Sequence, residues 1–87
     1  MTDQFTKFVN NQCNITKLST KNTGFFEDGF SDYGNMVLMG EGDVMWVMLM
    51  NHGTWMKTSC IKKIVETTEV SITFETENSY YKLELLS

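Results

Sequence analysis

Residues 70–85 alternate apolar and polar side chains on both sides of Glu77-Asn78, a pattern that fits one arm and then the other of an antiparallel hairpin. With Glu77 and Asn78 as a two-residue loop, Phe74 faces Tyr81, Ile72 faces Leu83 and Val70 faces Leu85, all on one face. The other face pairs Glu75 with Tyr80, Thr73 with Lys82 and Ser71 with Glu84. A slip of one residue would bury the charges, so the hydrophobic pattern itself fixes the register.

The same grammar holds from Asn35 onward. Short runs rich in Val, Ile, Met, Trp, Tyr and Phe are separated by turn signals at Gly40-Glu41-Gly42-Asp43, Asn51-His52-Gly53-Thr54, Glu66-Thr67-Thr68-Glu69 and Thr76-Glu77-Asn78-Ser79. The expected fold is mainly β: a small antiparallel five-stranded meander over residues 35–87, or its closure as an SH3-like open barrel, since strands of this length twist. At 87 residues the chain reads as a single domain, residues 1–87. Phe5, Phe8 and Val9 fall at helical spacing and predict a short N-terminal helix over residues 2–11, with a strand or extended arm over residues 15–18 after it. Residues 19–34 are rich in Gly, Asn, Asp and Ser but hold Phe25, Phe26, Phe30 and Tyr33, which predicts a long packed loop. Ile61 and Ile64 are three apart and cannot share one face of a regular strand, which predicts a bend within residues 59–64.

The ribbon that precedes the last hairpin is apolar on both faces. Two-residue loops at Glu41-Gly42 and His52-Gly53 set Met36 and Leu38 beside Val47 and Met45, and these beside Thr58 and Cys60. Leu49 and Met56 complete that face, which is assigned to the core. The opposite face carries Val37, Met39, Val44, Trp46, Met48, Met50, Trp55 and Ile61, with Lys57 and Ser59 as its polar members. A ribbon of this kind must be covered. The candidate covers are the N-terminal helix, a second copy in a homodimer, or a partner protein. Six of the seven methionines lie between Met36 and Met56, and adaptable thioethers beside tryptophans suit a contact surface, so Trp46, Met48 and Trp55 are candidate partner-binding residues.

Charge narrows the classes of partner. Eleven acids against seven bases give a net charge of −4, and every base is lysine. Without the bidentate fork of arginine, sequence-specific nucleic-acid readout is disfavoured. A small barrel that stacks single-stranded nucleic acid on Trp46, Trp55 and Tyr80, with Lys57, Lys62, Lys63 and Lys82 near the backbone, is the alternative reading. Glu27, Asp28, Asp32, Glu41 and Asp43 occupy residues 24–43 without a lysine among them and form a candidate acidic contact surface, suited to a basic or nucleic-acid-binding groove on a host protein.

Cys13 and Cys60 are too few for a disulfide framework and are expected reduced, with Cys60 a small core residue. His52 is the only histidine, which leaves no zinc set, and no cofactor is expected. Cys60 follows Gly53 by seven residues along a strand, roughly 20 Å from His52, too far for a thiol and imidazole to act together. A non-enzymatic protein is the expectation. The longest apolar run, residues 44–50, is about a third of a membrane span, and residues 1–11 lack the cationic start and apolar stretch of a secretory signal, so the expected location is cytoplasmic, without a membrane partner.

Two segments carry a resemblance: Lys57-Thr58-Ser59-Cys60-Ile61-Lys62-Lys63-Ile64 and Thr76-Glu77-Asn78-Ser79-Tyr80-Tyr81-Lys82-Leu83. Residues 57–85 are similar to a T-S-x-[IV]-x-x-I element followed by T-x-N-S-x-Y-x-L in short phage and prophage proteins. The resemblance brings no catalytic residues with it. It implies a phage-like setting, in which small acidic β proteins bind and block host machinery, and from it comes the expectation of an inhibitor of a host protein such as a defence nuclease of the CRISPR type.

Overall fold

The computed structural model describes residues 2–21 and 26–86. Seven strands form one antiparallel sheet: β1 (Cys13–Thr20), β2 (Ser31–Gly40), β3 (Val44–Leu49), β4 (Thr54–Lys57), β5 (Ile61–Thr67), β6 (Ser71–Thr76) and β7 (Ser79–Leu85). Their order across the sheet is β4-β3-β2-β1-β7-β6-β5. The chain meanders from β1 to the edge at β4, crosses to the far edge at β5, and meanders back until β7 lies against β1. Twist and a continuous apolar inner face curl the sheet into a half-barrel.

The mainly β, barrel-like expectation stands, and the count of five strands does not. Residues 15–18, open between a strand and an extended arm, lie within a full strand over residues 13–20, because Cys13, Ile15 and Lys17 alternate inward between β2 and β7. The long packed loop shrinks accordingly to the segment between β1 and β2; Phe25, assigned to it, lies outside the described residues. The expected third strand divides at residues 58–60, where the sequence places a bend. That corner stitches the two sheet edges together. Thr58 N–H donates to the Met45 carbonyl and Ile61 N–H to the Asp43 carbonyl, while Glu77 N–H donates to the Cys60 carbonyl, each at 2.9 Å.

The C-terminal hairpin adopts the register read from its pattern: Phe74 opposite Tyr81, Ile72 opposite Leu83 and Ser71 opposite Glu84, with Leu85 N–H donating to the Val70 carbonyl at 2.7 Å. Val70 itself is exposed, because it stands beyond the end of the core. The β2–β3 hairpin slips by one residue from expectation. Gly42 and Asp43 take left-handed backbone conformations (φ 76° and 57°), so the loop is Glu41-Gly42-Asp43 and Gly40 pairs with Val44. That residue reverses the side chains of β2 from Val37 to the turn, and a bulge between Gly34 and Val37 restores the expected register at Gly34, opposite Leu49. Val37 now faces inward opposite Val47, Met39 packs against the core, and Met36 and Leu38 turn outward. The β3–β4 loop is longer by two residues, which shifts the pairs to Val47–Met56 and Leu49–Thr54 but preserves the face, so Met56 remains buried. Beyond the corner, Ile61 is buried rather than outward, and Cys60 is half-buried at the bend rather than in a strand facing Met45; Thr58 takes that place.

The expected N-terminal helix is a single 3-10 turn, Thr2–Phe5, followed by turns that end with Asn10 at φ 63°. So short a helix gains too few hydrogen bonds to offset its nucleation, and packing decides instead. Phe5 and Phe8 are wholly buried, and the Phe5 ring meets Phe74 edge-on with ring centres 5.2 Å apart. The segment is tied across the inner side of the sheet by Asn10 N–H on the Val37 carbonyl (2.8 Å) and Lys7 Nζ on the carbonyls of Thr68 (2.9 Å) and Glu69 (3.0 Å). It therefore fills the core and does not cover the tryptophans. The core is tight at Gly34, where a Cβ would stand 2.6 Å from Val47 Cγ1 and 3.1 Å from the Cys13 carbonyl. Val47 is β-branched and buried and cannot swing away. Gly34→Ala is expected to cost about 1–3 kcal/mol, measurable as a lowered urea midpoint at unchanged slope.

Candidate functional site

The outer face of the β2–β3–β4 ribbon is built by the register slip. Leu38 stands opposite Trp46, Trp46 opposite Lys57 and Met48 opposite Trp55. Leu38, Trp46 and Trp55 line an open cleft of about 270 Å³. Trp55 is 39% exposed, Met36 on β2 and Met50 just past β3 are exposed as well, and Trp46 and Met48 are half-buried. Glycine at position 40 lets the indole lie down: a Cβ there would meet Trp46 Nε1 at 3.0 Å. The Lys57 ammonium sits 5.3 Å from the centre of the Trp46 ring, a cation–π contact. The structure brings Trp46, Met48 and Trp55 together on this outer face, and Leu38, assigned to the core, joins them.

The acids do not form one surface. Glu41 and Asp43 lie in the β2–β3 turn, where Glu41 is exposed and the Asp43 carbonyl holds the corner. Glu27 and Asp28 lie beyond the other end of the ribbon, about 20 Å away along β3. They are exposed and, with Phe26, Gly29, Phe30 and His52, line a second cleft of about 440 Å³. Asp28 accepts a hydrogen bond from Thr20 Oγ1 at 2.6 Å.

Asp32 is no contact residue at all. Its side chain is wholly buried and accepts hydrogen bonds from Tyr33 N–H (2.7 Å), Asn51 N–H (3.3 Å), Asn51 Nδ2 (2.8 Å) and His52 Nδ1 (2.6 Å). Burial pushes its carboxyl upward, and the donors, His52 first, outweigh burial and hold it below the usual carboxylate range. A carboxylate only accepts, so Nδ1 of His52 carries the proton, and in the neutral ring Nε2 is the lone-pair nitrogen. The ring leans on Phe30, centres 5.0 Å apart. Asp32 thus clamps the β3–β4 turn and the loop over it. No spacing in the sequence reveals this pair, since Asp32 and His52 are twenty residues apart and meet through β2–β3 pairing.

Lys17 completes the loop's attachment. It is buried on the inner face of β1, with Nζ donating to the Phe26 carbonyl. Its N–H donates to the Phe30 carbonyl (2.8 Å), and its carbonyl accepts Gly29 N–H (2.7 Å). Alternation alone makes position 17 inward, but the lysine there gives no hint of burial. Cys13 is buried, which raises its thiol pKa to about 11, and both cysteines are free. Among the described residues no group of three or more His, Cys, Asp or Glu is placed to hold a metal ion, and no helix is long and apolar enough to cross a membrane. Comparison with protein-family models, with curated proteins and with solved structures gives no match to this chain.

Proposed function

We propose that this protein is a non-enzymatic binding protein that docks a host protein through the outer face of β2–β3–β4, with the Glu27–Asp28 loop as an acidic flank. The observation that carries the reading is the cleft of Leu38, Trp46 and Trp55, left open among the described residues because the N-terminal segment is spent on the core. Tryptophan and methionine in one exposed patch concentrate binding energy, and acids at both ends of the ribbon steer it toward a basic surface. Together with the resemblance to phage proteins, this favours a host nuclease as the partner and blockage of its groove as the mode of action.

Capture from host lysate tests this. Wild-type protein should retain a host protein at moderate salt, and Trp55→Ser or the Glu27→Lys, Asp28→Lys pair should each retain about tenfold less, the size of a single contact residue's effect. One observation favours a second reading: Lys57 over Trp46, beside Trp55, is a stacking platform with a cation at hand. If single-stranded DNA or RNA binds with a steep salt dependence and no protein is retained, that reading replaces the first.

A further inference from the structure

Among the described residues β4 pairs with β3 alone, and Thr54, Trp55 and Lys57 are exposed. The direction of its main-chain groups follows from the bond just beyond it. Thr58 N–H donates to the Met45 carbonyl at 2.9 Å, in the same register that sets Met56 opposite Val47 and Thr54 opposite Leu49. Main-chain groups alternate sides along a strand, so those of Thr54 and Met56 face β3 and those of Trp55 and Lys57 point off the sheet edge. An edge of that kind is a template for another strand.

We propose that β4 of a second copy of this chain occupies the edge, antiparallel about a two-fold axis beside Met56. In this register Trp55 of each copy faces Lys57 of the other. These are the residues whose N–H and C=O groups point outward, so each facing pair exchanges both main-chain hydrogen bonds. The side chains agree with the backbone. Within the chain Leu38 is opposite Trp46 and Trp46 opposite Lys57, and Met48 is opposite Trp55. Across the seam the outer row runs Leu38, Trp46, Lys57, then Trp55 and Met48 of the second copy. The ammonium already lying 5.3 Å from one indole is held between two.

Neighbouring registers fail. Sliding one way sets Lys57 against its own copy, a like-charge contact; sliding the other way stacks Trp55 on its own copy and leaves Lys57 opposite the turn residue Gly53. A lysine on a short edge strand ordinarily discourages pairing, and here it selects which pairing forms. Four residues of strand bury far less than the roughly 800 Å² per partner of a stable interface, so the dimer is a concentration-dependent one. Pairing extends the sheet sideways and leaves the outer faces open, so it holds whether or not those faces take a host protein.

Sedimentation velocity over a concentration series, with amide hydrogen exchange on the same samples, tests the pairing. The sedimentation coefficient should rise with concentration, and the Trp55 and Lys57 amides should become protected over that range, while the Met56 amide is protected throughout. Lys57→Pro removes an outward N–H without touching the ladder to β3, and should sediment as a monomer with an unchanged circular dichroism spectrum. If that variant does not fold, the wild-type exchange pattern decides. A wild-type chain that stays monomeric, or that dimerises with the Trp55 and Lys57 amides still exchanging freely, overturns the proposal. Protection of those amides that arises only on adding a different protein also overturns it and assigns the edge to a foreign strand.

Discussion

Phe5→Ala is expected to destabilise the protein by about 3–5 kcal/mol. Phe5 is wholly buried, its ring rests edge-on against Phe74, and Phe74 stacks in turn on Tyr81 at 5.8 Å. Truncation removes both the transferred apolar surface and one half of that aromatic pair. It also leaves a hole that the strands cannot close, because they are pinned by the ladder on both sides. A domain of this size has roughly 5–10 kcal/mol in all, so the variant should unfold in little urea. Acrylamide quenching of Trp46 and Trp55 in the native state should be unchanged, since the N-terminal turn lies on the inner side of the sheet. Increased quenching in folded Phe5→Ala would place the segment over the tryptophans instead and contradict this packing.

The second large effect belongs to Asp32. Asp32→Ala strips the charged acceptor from Tyr33 N–H, Asn51 and His52 at once, and because Asn51 and His52 are exposed and can turn to water, the loss of these charge-assisted hydrogen bonds should cost about 2–3 kcal/mol. The pH dependence carries the same signature. Because the folded-state pKa is depressed, the ionised carboxylate stabilises the fold fully above the unfolded value of about 3.9, and that contribution is lost as pH falls through the lower folded value. Asp32→Asn should flatten the acid limb of a stability–pH profile while leaving the Lys17 attachments of the loop intact. A variant with the wild-type acid limb would show that other carboxylates govern it. Loosening of the His52 turn should also raise exchange at the Asn51 and His52 amides, at the end of the ribbon next to Trp55.

How much of this was legible beforehand depended on which residues were involved. In residues 70–85 strict alternation meets a two-residue loop, so every pair from Phe74–Tyr81 to Ser71–Glu84 could be counted off the chain. In the β2–β3 hairpin both faces are apolar, so the pattern tolerates either register and the turn backbone at Gly42 and Asp43 decides. That single residue of slip moved Leu38 from the core to the cleft and Val37 the other way. Trp46, Met48 and Trp55 were legible because alternation from Met45 onward survives both loops.

By itself, the sequence determined the antiparallel β class, the C-terminal register and an apolar ribbon too rich to be covered twice, because these follow from side-chain period along one strand or one hairpin. What only the tertiary structure decided are the contacts between distant segments: β1 closing on β7, Phe5 and Phe8 spent inside the half-barrel, and Asp32 turned from a candidate contact into the buried anchor of His52. Those outcomes depend on which surfaces compete for the same core volume. Only the folded chain makes that choice, and it left Trp46, Trp55 and the β4 edge facing outward.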